Sequence, residues 1–281
     1  MSAKRVELTA LNGHQRMFKF HAVRKTVQNL KVIENLQLND DHHLLQLKVP
    51  DPLETINPGQ FANLLVDHTP AVFLRRPFSI CSVDYSKNTI SVLIKKIGEG
   101  TRALAQTQVN SYISGMFPLG NSFTIPSEPE KILLVGGGSG VASLMNLAQE
   151  LRRNLNDVTV LIGARSSADL VELDHFSRYG TVFTTTEDGT KGEKGYVTDH
   201  HIFKNQLSQF KRIYSCGPEP MMKAVAAKAK SQSIFCEVSL ENTMACGFGV
   251  CLCCVTETIE GHKCVCTDGP VFNINQLKWQ I

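Results

Sequence analysis

The stretch MACGFGVCLCC, residues 244–254, sets Cys246, Cys251 and Cys254 at C-x4-C-x2-C spacing, with Cys253 between them. Three thiolates this close, completed by a distant fourth, form the ligand set of a plant-type [2Fe-2S] cluster, in which one tight loop wraps two irons and two sulfides. Gly247 and Gly249 let such a loop curl with its amides turned toward the sulfurs, and hydrogen bonds from those amides help set a reduction potential. On the residues alone, the fourth ligand is Cys264 or Cys266. A structural zinc is the competing occupant. Zinc sites are commonly built from paired C-x2-C knuckles, whereas the first half here has x4 spacing and the second, KCVC, is C-x-C. Cys253 and the spare member of the 264/266 pair read as small buried hydrophobes.

Three other stretches point to nucleotides. LLVGGGSGVASL, residues 133–144, runs strand, glycine turn, helix. Gly136, Gly137, Gly138 and Gly140 would allow close backbone approach, and the helix start supplies free amides to a pyrophosphate. No acidic residue ends the next strand, where GAR stands instead, so preference between NADH and NADPH is open and Arg165 is as readily a solvated charge as a phosphate ligand. RRPFSICS, residues 75–82, places Arg76 where a bidentate fork could clamp a pyrophosphate, with Ser79 able to offer a hydrogen bond to a flavin ring nitrogen. KKIGEGTRALA, residues 95–105, gives a glycine turn at a helix start, where the amides of Gly100 and Thr101 can hold phosphate. No serine, histidine and carboxylate constellation stands out as catalytic. The DHH runs at 41–43 and 199–201 read as solvated turns.

These residues need elements to position them. From about Lys19 to Phe123, short β-branched and aromatic runs (LLQLKVP, QFANLLV, FSICSV, TISVLIKKI) are separated by Pro, Gly, Asn and Asp, as in a small antiparallel barrel or sandwich. The polar, Pro-rich IPSEPE at 125–130 reads as a linker. Buried strands then alternate with helices: KILLVGG, SLMNLAQELRRNL, DVTVLIGA, GTVFTTT, RIYSCG and PEPMMKAVAAKAKSQ, the pattern of a parallel doubly wound sheet. The last 45 or so residues, rich in cysteine and turns, form a third unit. The expected domains are a 1–16 extension, a 17–125 flavin-binding β-barrel, a 126–235 NAD(P)-binding α/β domain and a 236–281 cluster domain.

Composition narrows the class. With 281 residues, 42% hydrophobic and 20% charged, the chain is globular, and 29 basic against 26 acidic residues leave no surplus for a phosphate backbone, so nucleic acid is not an expected partner. No run of about 18 apolar residues and no secretory leader are visible, so a cytoplasmic protein with no membrane association is expected. There thiols stay reduced, and nine cysteines, six of them between 246 and 266, suit a metal better than disulfides.

The order of a β-barrel with R-P-x-S, then a glycine-rich α/β domain ending in CGPEPM (216–221), resembles the ferredoxin reductase superfamily. EVSLENTMACGFGVCLCCV followed by CTDGPVF is similar to the electron transfer subunits of class 1B dihydroorotate dehydrogenases. The resemblance spans about residues 20–275. It implies FAD on the barrel, contacted by Arg76, Pro77, Phe78 and Ser79, by Leu93, Ile94 and Lys95 on the next strand, and by Gly100 and Thr101. It implies NAD(H) as substrate on the glycine loop, with Cys216, Gly217 and Pro218 where nicotinamide meets flavin. It selects Cys266 as the fourth ligand beside Cys246, Cys251 and Cys254, leaving Cys253 and Cys264 additional. It further implies an FMN-containing catalytic partner that interconverts dihydroorotate and orotate, in a heterotetramer of two chains of each kind serving pyrimidine biosynthesis. A reductase component feeding a ferredoxin, hydrogenase or oxygenase is the alternative, because the same flavin and nicotinamide modules serve those systems. A non-catalytic, zinc-stabilised nucleotide-binding protein is a third reading, and it would be colourless.

Overall fold

The structure, a computed structural model, describes residues 25–66 and 72–281. The expected extension at 1–16 lies outside the described residues.

Six strands form a closed antiparallel barrel: β1 (Thr26–Gln37), β2 (His42–Lys48), β3 (Phe61–Leu64), β4 (Arg76–Asp84), β5 (Thr89–Lys95) and, after the short helix α1 (Glu99–Ala105), β6 (Tyr112–Leu119), in the order β1-β2-β5-β4-β3-β6. Their period of two sends Leu30, Val32, Leu45, Leu47, Ala62, Leu64, Ile80, Ile90, Val92 and Ile94 into one barrel core. The alternate residues face outward, and on β4 and β5 these include Cys81 and Leu93, which pack against the second domain. The outer face of β4 is thus the surface where the two halves of the molecule meet.

The second layer is a seven-stranded sheet. It is built from β7 (Lys131–Gly137), α2 (Val141–Arg153), β8 (Asp157–Ala164), α3 (Leu173–Ser177), β9 (Thr181–Thr186), the two-residue β10 (Glu193–Lys194), β11 (Arg212–Cys216), α4 (Glu219–Ser231) and β12 (Phe235–Ser239). The order β10-β9-β8-β7-β11-β12 is parallel throughout, and the chain reverses direction across the sheet between β7 and β11. Continuous apolar runs reflect burial of both faces. On β7, Ile132 and Leu134 pack with α2 on one side, while Leu133 and Val135 pack with α4 on the other. In such sheets ligands bind at the carboxyl ends of the strands beside the point of reversal. Gly136 and Cys216 sit opposite each other there.

After the hairpin of β13 (Val255–Thr258) and β14 (Gly261–Cys264), strand β15 (Val271–Asn273) adds antiparallel to β12 as the edge of the same sheet. The cysteine-rich segment therefore completes the α/β sheet and shares its core: Cys254, Val265, Cys266 and Phe272 pack with Phe61 and Leu119 of the barrel and Leu133 of the sheet. The DHH runs depart from expectation. His42 and His200 are both buried, because His42 opens β2 with its ring against Asn39 Oδ1 (2.9 Å), and His200 stacks between Phe183 and His201. His200 Nδ1 accepts from the Ile202 amide (3.3 Å), and its Nε2 lies 3.3 Å from Glu193 Oε1, on the carboxylate that also binds the ring and amide of His201. Among the described residues, no helix is long and apolar enough to cross a membrane.

Candidate functional site

The cysteines fall into two pairs. Cys246 and Cys251 lie on the accessible side of the loop and Cys254 and Cys266 beneath it, the latter two essentially without solvent exposure. Backbone amides point at the sulfurs. Phe248 and Val250 donate to Cys246 Sγ (3.4 Å each), Cys246 and Cys253 to Cys251 Sγ (3.5 Å each), and Cys266 to Cys254 Sγ (3.4 Å). Gly247 (φ +80°) and Gly249 (φ +91°) supply the left-handed turns that aim these amides. Burial works against ionisation of Cys246, but the amides of Phe248, Cys251 and Val250 outweigh it and bring its thiol down to about 6. At Cys266, burial and the neighbouring Cys254 push the thiol up to about 12. A proton there must be released when metal binds. Two pairs of sulfurs inside a cage of N–H donors fit a two-iron centre.

Arg76, Pro77, Phe78 and Ser79 lie half-buried on β4. Arg76 reaches α1: a Cβ on Gly100 would sit 3.3 Å from Arg76 Nε. The Arg76 side chain thus stands beside the first turn of α1, which carries the amides of Gly100 and Thr101, while its Nη1 donates to Leu74 O (2.7 Å). The Thr101 hydroxyl is already engaged, accepting from the amides of Ile97 and Gly98 (3.0 Å each), so only its backbone is free for a ligand. Leu93 and Ile94 are buried, with side chains toward α2 and the barrel core respectively, and can meet a flavin only through backbone. Lys95 instead lines the cleft of the α/β domain.

That cleft, about 440 Å³, is bordered by Lys95, Gly137, Gly138, Arg165, Tyr196, Pro218 and Met221. Gly138 (φ +54°) faces open space. Gly140 and Gly217 do different work, since a Cβ on Gly140 would lie 2.6 Å from Gly217 Cα. Helix α2 therefore starts directly against the C-G-P turn. Gly136 packs on Val141, and Cys216 is sealed beneath the turn, where burial and then Glu241 push its thiol up to about 12. It stays neutral and is no nucleophile. Of the glycine-loop and C-G-P residues expected at a nicotinamide, Gly137, Gly138 and Pro218 border the cleft, and the others form its foundation.

Segment 241–278 matches the family described as the iron-sulfur cluster binding domain of dihydroorotate dehydrogenase B. Residues 134–227 match the oxidoreductase NAD-binding domain and 29–123 the oxidoreductase FAD-binding domain. The chain is 35% identical over 261 residues to the dihydroorotate dehydrogenase B (NAD(+)) electron transfer subunit of Shouchella clausii, covering 91% of this chain and 99% of that one. This chain belongs to that family. The subunit of the same description from Bacillus velezensis is 36% identical over 89% of this chain and 98% of its own. Among solved structures, a chain of an NADH-dependent reduced ferredoxin–NADP oxidoreductase superposes with a TM-score of 0.80 at 27% identity, covering 89% of this chain and 90% of that one. A ferredoxin reductase of carbazole 1,9a-dioxygenase shares the fold at 0.67, covering 76% and 68%. The cofactor set of the family, FAD, an iron-sulfur cluster and NAD, is the set these three segments are built to hold.

Some residues at this site carry no sequence signal. Asn63, inside the unremarkable run QFANLLV, donates from Nδ2 to Cys246 O (3.2 Å). Asn121 binds Asp268 O (2.8 Å), Val271 O (2.9 Å) and the Val271 amide (3.0 Å), tying the DGPVF segment to the barrel. Glu241 lies near both Lys95 and Cys216. Its side chain is open to solvent but ringed by protein, which raises its carboxyl above the ordinary range. Only the tertiary fold brings these to the site.

Proposed function

We propose that this chain carries electrons between a nicotinamide in the Gly138–Pro218 cleft, a flavin on the outer face of β4 and a [2Fe-2S] centre at Cys246, Cys251, Cys254 and Cys266. It does so as the electron transfer subunit of a dihydroorotate dehydrogenase that uses NAD+. The observation that carries the reading is the packing of the amide-caged cysteine loop onto β3, the strand beside Arg76–Ser79. The division of labour follows 17–125, 126–235 and 236–281. When bound, FAD exchanges a hydride with the nicotinamide and single electrons with the cluster, which joins two-electron to one-electron chemistry.

The chain's own part is binding and orientation. Arg76 and the amides of Gly100 and Thr101 hold the pyrophosphate, and Ser79 offers its hydroxyl to the ring edge. Gly138 lets the dinucleotide approach the turn at the head of α2, and Cys216, sealed beneath that turn, supports it from below. Lys95 stands at the junction of flavin strand and cleft. Cys266 is preferred to Cys264 as fourth ligand because the Gly249 amide is directed at its sulfur, whereas Cys264 interacts with Asp268.

The partner is an FMN-containing subunit that oxidises dihydroorotate to orotate, two chains of each kind, in the cytoplasm and in pyrimidine (UMP) biosynthesis. The cluster held by Cys246, Cys251, Cys254 and Cys266 and the FAD held on β4 would, when bound, link that partner to NAD+. A reductase component serving another acceptor is the second reading, favoured by the likeness to the NADH-dependent oxidoreductase. The test is EPR of anaerobic protein before and after NADH, without partner. A reduced [2Fe-2S] signal supports the wire. Silence with both NADH and dithionite refutes it. Orotate formation on adding the catalytic subunit separates the two redox readings.

A further inference from the structure

Asn63 occupies an odd position for an amide. It lies at the middle of β3 with no solvent exposure, on the outer face of the barrel, since its neighbours Ala62 and Leu64 point into the barrel core. In the β3–β4 pairing it stands opposite Pro77, and Phe61 opposite Ser79, so its side chain shares the outer face with Pro77 and Ser79 of the R-P-x-S run. Its Nδ2 donates to Cys246 O at 3.2 Å, and a Cβ on Gly247 would lie 2.6 Å from that nitrogen, so the cysteine loop rests on the Asn63 amide. Its backbone carbonyl accepts from Arg75 Nη1 (3.4 Å), next to the pyrophosphate arginine. Its Oδ1, in contrast, is sealed from solvent and has no hydrogen-bond partner.

An unpaired buried acceptor is costly, and an apolar residue of the same shape would avoid that cost. The penalty is tolerated where the single bond that is made fixes something packing alone leaves loose. Apolar contact between a loop and a strand has no preferred register, whereas one hydrogen bond to the carbonyl of a ligand does.

We propose that Asn63 is a positioning residue for electron transfer: by holding the Cys246 carbonyl it fixes the cluster loop in one register against the flavin strand. This rests on the electron-wire reading above. It acts through Cys246 and touches neither substrate nor reacting atom.

The test compares the full chain, loaded with FAD and cluster, with Asn63→Leu and Asn63→Ala. The leucine removes the orphan acceptor and the positioning bond together. The expected result is a melting temperature equal to or above that of the unaltered protein, unchanged flavin reduction by NADH, a broadened or shifted EPR signal of the reduced cluster, and flavin-to-cluster transfer slower by about tenfold, in line with loss of a partner behind a metal ligand. Asn63→Ala, which opens space rather than filling it, is read by the same spectral and kinetic changes should the leucine fail to fold. Variants with the unaltered EPR spectrum and transfer rate overturn the proposal, as does a fall in stability with no spectral or kinetic change, which would mark a merely structural role. An unaltered protein that gives no cluster signal on reduction refutes the wire itself and is told apart by that control.

Discussion

Gly140→Ala puts the architecture of the proposed nicotinamide cleft to a quantitative test. The added Cβ would lie 2.6 Å from both Cα and N of Gly217 and 2.7 Å from the carbonyl carbon of Cys216. These are backbone atoms, so no rotamer change absorbs the clash. Carbon contacts settle near 3.5 Å or beyond, so the start of α2 and the C-G-P turn must part by about 1 Å. Overpacking of this kind costs about 1–3 kcal/mol of stability. The two displaced segments also border the cleft, and a misplacement of about 1 Å is worth up to a hundredfold in rate. The assay is stopped-flow reduction of bound FAD by NADH, with dithionite reduction and thermal melting as companions. The expected outcome is a 10- to 100-fold loss in NADH efficiency, with FAD retained and dithionite reduction normal. Gly98→Ala is the control, because a Cβ there meets nothing within 4 Å and the backbone is in an ordinary extended conformation. A Gly140→Ala protein with unaltered melting and unaltered NADH kinetics would refute the idea that this glycine contact shapes the cleft.

Cys251→Ser should abolish the cluster's absorption and EPR signal while FAD stays on the barrel, and loss of both cofactors from a folded protein would contradict the separation of the two sites. Arg76→Ala should weaken FAD binding by roughly 10- to 100-fold, the worth of a charge-assisted bond to phosphate, measured by fluorescence titration of apoprotein. Asn121→Ala removes three side-chain hydrogen bonds to the 268–271 backbone and should cost roughly 3 kcal/mol in denaturant unfolding at about 1 kcal/mol each. Burial depresses the folded-state pKa of His42, His175 and His200 below 6.5. Below pH 6.5 the unfolded chain binds protons that the folded chain refuses, so stability should fall as pH drops from 6.5 toward 5 and be complete above it. Melting temperatures that are flat across that window would show that these histidines are not held neutral.

Cofactor chemistry was legible in short local patterns because each depends on residue type at fixed spacing: C-x4-C-x2-C, R-P-x-S, and the four glycines of GGGSG before a helix. The barrel and the doubly wound sheet were legible too, since periods of two and continuous apolar runs record which faces are buried. Other features have no local signature. The cysteine-rich tail reads as a separate unit, yet β15 completes the α/β sheet, because an exposed edge on β12 needs a partner and strand pairing does not depend on sequence distance. His42 and His200 read as solvated and are buried, because polarity in sequence does not reveal a neighbour such as Asn39 or Glu193 that meets one ring nitrogen inside the fold. The seat of Cys246 on Asn63, 183 positions away, is likewise a product of the closed barrel. Sequence by itself determined which groups this protein can hold. Tertiary structure decided how flavin strand, nicotinamide cleft and cluster loop stand together, because through-space contact between distant segments is what electron transfer requires and what local pattern cannot encode.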